Sequence, residues 1–99
     1  RLASDLGNFF YYRGFPMVRS GNEIYYGSMG DKFVTKLTIR ESETYKDSEM
    51  PTKVMVQMVP TKMEPDLLAK AKKGEMNSLY EALDTAYVWL SKELFGEQG

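Results

Sequence analysis

The segment FPMVRSGNEIYYGSMGDKFVTKLTIR, residues 15–40, decides the fold because it holds three strand-like runs separated by two glycine-led turns. Gly21-Asn22 and Gly30-Asp31 both suit two-residue hairpin loops, the second as a type II′ turn. The two turns define a register in which opposed residues share a face of the sheet and successive residues alternate between faces. The predicted opposed pairs are Arg19–Ile24, Val18–Tyr25, Met17–Tyr26, Ser28–Phe33, Tyr26–Thr35 and Ile24–Leu37.

This register separates the apolar side chains of the three strands from the rest. One face, predicted to be buried, collects Phe15, Met17, Ile24, Tyr26, Phe33, Leu37 and Ile39. The opposite face collects Pro16, Val18, Tyr25, Val34, Lys36, Thr38 and Arg40. A slip of one residue would place these side chains on the wrong faces, so the agreement between turn chemistry and hydrophobic pattern supports the register.

The sequence on either side predicts a single α+β domain over residues 1–99, with an N-terminal helix before a four-stranded antiparallel β-meander. Apolar residues at helical spacing predict the first helix over residues 2–13. Residues 41–52 are polar and acidic, which is typical of an exposed loop. Residues 53–59 predict the fourth strand. Its predicted inward side chains are Val54, Val56 and Met58, and its outward ones are Met55, Gln57 and Val59.

The C-terminal third predicts one broken helix or two helices, packed on one face of the sheet. Pro65 suits the first turn of a helix over residues 65–73. Ser78 and Glu81 form a capping-box pattern that begins a final helix, which ends near Phe95. Its predicted buried stripe consists of Leu79, Leu83, Ala86, Leu90 and Leu94.

Composition excludes several kinds of chemistry. The 99 residues include no His and no Cys, the net charge is −1, and the pI is about 5.5. Catalytic triads based on His or Cys and the usual zinc ligands are therefore excluded, and we expect neither a metal ion nor a cofactor. The sequence lacks a run of about 18 apolar residues, so no transmembrane helix is expected. The lack of Cys fits the cytoplasm, although a chain that begins at Arg1 leaves processing of the N-terminus open.

The outward face of the predicted sheet is the candidate interaction surface. Several apolar side chains align on it, and helices packed on the other face would leave it open. The leading interpretation is a non-catalytic interaction domain that forms a homodimer or binds another protein through this face. The alternative is an ordinary solvated face with scattered β-branched residues. The candidate residues are Val18, Tyr25, Val34, Lys36, Arg40, Met55 and Val59.

The predicted order of a helix, a meander and further helices resembles that of secretion-chaperone domains. Such domains dimerise and hold extended segments of client proteins, so the resemblance implies a chaperone-like or adaptor-like role. It rests on element order alone, which many folds share.

Two other functions use different features of the sequence. Single-stranded nucleic acid or a small ligand could bind the same face, with Tyr25 stacking on a base and Lys36, Arg40 and Arg19 near phosphates. The acidic pI and the lack of an RNP aromatic consensus argue against nucleic acid. An enzyme without His or Cys chemistry could use Tyr12, Arg13 and Tyr45, although no spacing singles them out.

Overall fold

A computed structural model describes residues 9–96 of the chain. The fold is α+β, as predicted, with a six-stranded antiparallel sheet and a long C-terminal helix. The strands lie in the sheet in sequence order, β1 to β6, so each one pairs with the next. They are β1 (Phe9–Tyr12), β2 (Phe15–Ser20), β3 (Glu23–Tyr26), β4 (Phe33–Tyr45), β5 (Ser48–Pro60) and β6 (Lys72–Met76). The helices are α1 (Pro65–Leu68), between β5 and β6, and α2 (Leu79–Phe95).

The register predicted for β2, β3 and β4 is confirmed. The observed pairs include Arg19–Ile24, Val18–Tyr25, Met17–Tyr26, Tyr26–Thr35 and Ile24–Leu37. The first turn forms at Gly21-Asn22, where Gly21 has the positive φ of 62° that a tight hairpin turn requires.

The second turn differs from the prediction. The Asp31 N–H donates to the Ser28 carbonyl oxygen over 2.9 Å, which places Met29 and Gly30 at the centre of a β-turn. Because β3 already ends at Tyr26, Ser28 belongs to the connection and does not pair with Phe33.

Helix α2 packs on one face of the sheet, called the inner face below. The buried side chains of this face are Phe15, Ile24, Tyr26, Phe33, Leu37, Ile39, Val54, Val56 and Met58, all predicted to point inward. The helix contributes Ala82, Ala86 and Leu90, each fully buried. Two alanines at the contact let the helix backbone approach the sheet closely, so Ala82 is buried although the predicted stripe omitted it. Leu79, Leu83 and Leu94 are only partly buried.

The start of α2 is as predicted. The Glu81 N–H donates to the Ser78 Oγ over 3.1 Å, and the Glu81 carboxylate accepts from the Asn77 N–H over 3.2 Å. These bonds satisfy two N–H groups that the first turn of a helix leaves free.

The N-terminal helix is wrong for the residues that the structure describes, and residues 2–8 of that prediction lie outside them. Phe9–Tyr12 forms β1, paired with β2 across a turn at Arg13 and Gly14. Both turn residues have positive φ, 51° and 88°, as a type I′ hairpin turn requires. Four consecutive aromatic residues favour a strand, and pairing with β2 overrides their helical spacing. The element order behind the resemblance to secretion-chaperone domains is therefore absent from residues 9–96.

The predicted loop over residues 41–52 is also wrong, because β4 and β5 continue through it. Beyond the sheet they form a two-stranded hairpin, residues 40–53, called the arm. Its turn residues Lys46 and Asp47 have φ of 50° and 67°, again a type I′ turn. Most side chains of the arm are exposed, so no apolar periodicity marks it in the sequence. With the arm, the molecule is 44 Å long and 26 Å thick.

The helix predicted over residues 65–73 ends at Leu68, and the chain then forms β6. The open edge of β5 supplies hydrogen-bond partners for the backbone of Lys72–Met76, so pairing replaces the helix. Gly74 lies beneath α2, where a Cβ would be in ordinary van der Waals contact with the Trp89 ring at 3.6 Å. The sheet therefore has six strands, two more than the predicted meander.

Candidate interaction surface

The outer face of the sheet lies opposite α2. Leu67 of α1 joins the same buried core as α2, so both described helices lie on the inner side. Within residues 9–96, no element packs on the outer face. The uncovered face that the sequence predicted is thus present in this part of the chain.

Two rows of side chains cross this face perpendicular to the strands. The basic row is defined as Tyr25, Lys36, Gln57 and Lys73, which are paired in turn from β3 to β6. The acidic row is defined as Glu23, Thr38, Met55 and Glu75 on the same four strands. The rows are two residues apart along each strand, a separation of about 7 Å.

Tyr25 is held in place by its neighbours in the two rows. Its hydroxyl donates to Glu23 Oε1 over 3.2 Å, and Lys36 Nζ lies 3.2 Å from Glu23 Oε2. The Lys36 ammonium also lies 6.0 Å from the centre of the Tyr25 ring. A surface ion pair contributes only about 0–1 kcal/mol to stability. Its main consequence here is that these contacts favour one orientation of the Tyr25 ring, while 44% of the residue stays exposed.

The other predicted surface residues fall into four groups. Val18 lies opposite Tyr25 and is 37% exposed, so the two form a continuous apolar contact area. Val34 is buried at 6% exposure and adds little to the surface. Its opposite neighbour Val59 is half-buried, as is Met55. Arg40 is exposed but belongs to neither row, because it lies in a β-bulge at the base of the arm.

The arm continues the outer face beyond the sheet, where the sequence predicted only an exposed loop. A bulge at Arg40 and a second at Thr52 offset each other, so the alternation of faces resumes along the arm. On the outer side lie the pairs Glu41–Lys53, Glu43–Met50 and Tyr45–Ser48. Tyr45 is 59% and Met50 is 53% exposed. The only signal in the sequence was a pair of residues, Lys46-Asp47, that fits a two-residue turn.

A second cluster joins the β1–β2 turn to α2. The Arg13 guanidinium lies 5.6 Å from the centre of the Tyr12 ring and 5.0 Å from that of Tyr87, and 3.8 Å from Asp84. Tyr12, and to a smaller extent Asp84, raise the pKa of Arg13. These contacts stabilise Arg13 in its positive-φ conformation and link the β1–β2 turn to α2. The cluster therefore has a structural role, and it is called the clasp below.

The buried tyrosine beneath this clasp is Tyr26. Its hydroxyl donates to the Tyr12 carbonyl oxygen over 2.7 Å. Burial, with smaller effects of Tyr12 and Tyr87, raises the pKa of the Tyr26 hydroxyl well above its ordinary range. Tyr26 is therefore a neutral hydrogen-bond donor in the core.

The residues proposed for an enzyme do not form one site. Tyr12 and Arg13 lie in the clasp, whereas Tyr45 lies near the tip of the arm. A cleft of about 560 Å³ opens between the β1–β2 turn, the β3–β4 connection and the end of α2, with Phe15 and Leu94 in its wall. None of the residues that line it has a buried polar atom without a partner, so nothing there fixes the position of a ligand.

Residues 9–96 contain neither a cluster of metal-binding side chains nor a helix suited to cross a membrane. No three acidic side chains come close enough to hold a metal ion. Neither described helix combines the length and hydrophobicity needed to cross a bilayer. Comparison with protein-family models, curated proteins and solved structures finds no match to this chain.

Proposed function

We propose that this chain is a non-catalytic interaction domain that forms a homodimer through the outer face of its sheet. The observation that carries the proposal is the exposure of Val18 and Tyr25 side by side on this face. Aromatic side chains held in one orientation lose little entropy on binding, and they are common at the centre of protein interfaces. The network of Glu23, Tyr25 and Lys36 supplies such a ring.

A protein partner fits the charge of this face better than a nucleic acid does. Lys36 is already paired with Glu23, so it is not free to bind a phosphate. Arg19 lies opposite Ile24 on the inner side of β2, where its Nε donates to the carbonyl oxygen of Gly21, so it adds no charge to the outer face. The arm, residues 40–53, contains four acids and three bases, a net charge of −1. Binding to a phosphate backbone depends on a surplus of positive charge, which this face lacks.

The test is sedimentation equilibrium of the wild type and of Tyr25→Glu over a range of concentrations. A carboxylate buried in the centre of the interface should raise the dimer Kd by at least about 30-fold, the effect of losing one interface hot spot. Tyr80→Glu is the matched control, because Tyr80 is 67% exposed on α2, away from the outer face. The control should dimerise like the wild type. A Tyr25→Glu variant that dimerises with unchanged Kd, or a monomeric wild type, would contradict the proposal.

A further inference from the structure

The basic row and the acidic row of the outer face lie at equal distances on either side of Leu37 in β4. One step along β4 is counted from each outward-facing residue to the next. The first step away from Leu37 reaches Lys36 of the basic row on one side and Thr38 of the acidic row on the other. These rows carry Lys36 and Lys73 against Glu23 and Glu75. The two rows lie at different positions along the same strands, so their arrangement depends on the register with which the strands pair.

The opposition of charge is absent at the second step and returns at the third step. The second step reaches the uncharged pair Val34–Val59 on one side and the ion pair Glu41–Lys53, with Nζ and Oε2 3.9 Å apart, on the other. The third step reaches Lys32 in one direction. In the other direction it reaches Glu43, because Arg40 is the extra residue of a bulge and is not counted as a step.

We infer that two copies pack outer face to outer face about a two-fold axis that crosses β4 at Leu37, with the arm of each copy lying on the other. This inference rests on the proposed homodimer and adds its geometry. The axis lies in the interface and runs perpendicular to the strands. Rotation about it places the basic row of one copy on the acidic row of the other, as a self-complementary interface requires.

The same rotation places Glu43 against Lys32 of the partner subunit, twice per dimer. Neither Glu43 nor Lys32 forms an ion pair with another residue among 9–96, so both are available for this contact. One step further along the arm, Tyr45 reaches the β3–β4 turn of the partner subunit. Met29 in that turn is 72% exposed, so the contact would cover two apolar side chains at once.

The area of the sheet explains why the arm is needed. Six strands spaced about 4.8 Å apart and about five residues long present roughly 400 Å². A stable interface takes about 800 Å² from each partner, so the sheet supplies about half. An arm roughly 20 Å long and 10 Å wide adds about 200 Å². The β3–β4 connection, which lies beyond these strands and receives the partner's arm, adds about as much again. Together these areas reach the usual size.

The experiment exchanges the charges of the proposed contact, using Glu43→Lys and Lys32→Glu as separate full-length variants. In a homodimer of either variant, two like-charge contacts replace two opposite-charge contacts, so Kd should rise by about tenfold at low salt. In an equimolar mixture, each heterodimer contains two opposite-charge contacts, and Kd should return close to the wild-type value. Native mass spectrometry, with one variant labelled with ¹⁵N, would count the heterodimers. Glu49→Lys is the matched control, because it makes the same charge change on the opposite side of the arm.

Heterodimers well above the half expected from random mixing, together with weak homodimers of both variants, would support the two-fold axis. If both variants dimerise as tightly as the wild type while Tyr25→Glu dissociates, the outer face is the interface but this geometry is wrong. A wild type that stays monomeric would overturn the proposed homodimer and this inference together.

Discussion

Thr35 lies at the centre of the core with a hydroxyl that has no hydrogen-bond partner. The residue is fully buried on the inner face, between Tyr26 of β3 and Met58 of β5. Replacing the hydroxyl with a methyl group of similar size, as Thr35→Val does, removes an unsatisfied polar atom that costs about 1–3 kcal/mol. We expect the free energy of unfolding to rise by about the same amount.

Urea denaturation followed by the fluorescence of Trp89 would measure the change, because this single tryptophan packs between α2 and the sheet. With an m value of about 1.5 kcal/mol/M, a gain of about 1–3 kcal/mol moves the midpoint up by about 0.7–2 M. Thr38→Val is the matched control on the other face of the same strand, where the residue is half-buried, and it should change stability by less than about 0.5 kcal/mol. A Thr35→Val variant no more stable than the wild type, with an unchanged m value, would refute the reasoning.

Two further predictions concern a titrating group and a backbone conformation. Because the pKa of Tyr26 is raised in the folded state, its contribution to stability is complete below the ordinary tyrosine pKa of about 10 and is lost as the pH rises above that value. The urea midpoint should therefore fall less between pH 9 and 11 in Tyr26→Phe than in the wild type, and equal slopes would count against this. Gly27→Ala should cost about 1–3 kcal/mol, because Gly27 has φ of 120° and a Cβ would lie 3.3 Å from Leu90 Cδ1. Gly30→Ala, with open space and no positive φ, should be nearly neutral when both variants are measured by the same urea denaturation. Equal losses of stability in the two variants would argue against the backbone explanation.

The predicted features that the structure confirms are those in which two local signals agree. In β2 to β4, the turn at Gly21 and the alternation of apolar residues specify one register, and the pairs Arg19–Ile24 and Ile24–Leu37 follow it. Helix α2 begins where the Ser78–Glu81 capping pattern precedes an apolar stripe. The outward position of Tyr25 followed from the same register. These features depend on contacts between residues close in sequence, so local chemistry is sufficient to determine them.

Tertiary structure decided the elements whose local signals are ambiguous or absent. Phe9–Tyr12 has a spacing that fits a helix, but a partner strand follows directly after the turn at Arg13, and pairing with it decides the conformation. Lys72–Met76 became a strand because β5 offers an open edge. Residues 41–52 have no apolar face at all, and only the continued pairing of β4 with β5 makes them an arm. In each case the backbone groups form hydrogen bonds with a neighbouring strand, and no local sequence pattern identifies that strand as the partner. Such pairing depends on which strand edges lie side by side in the folded sheet.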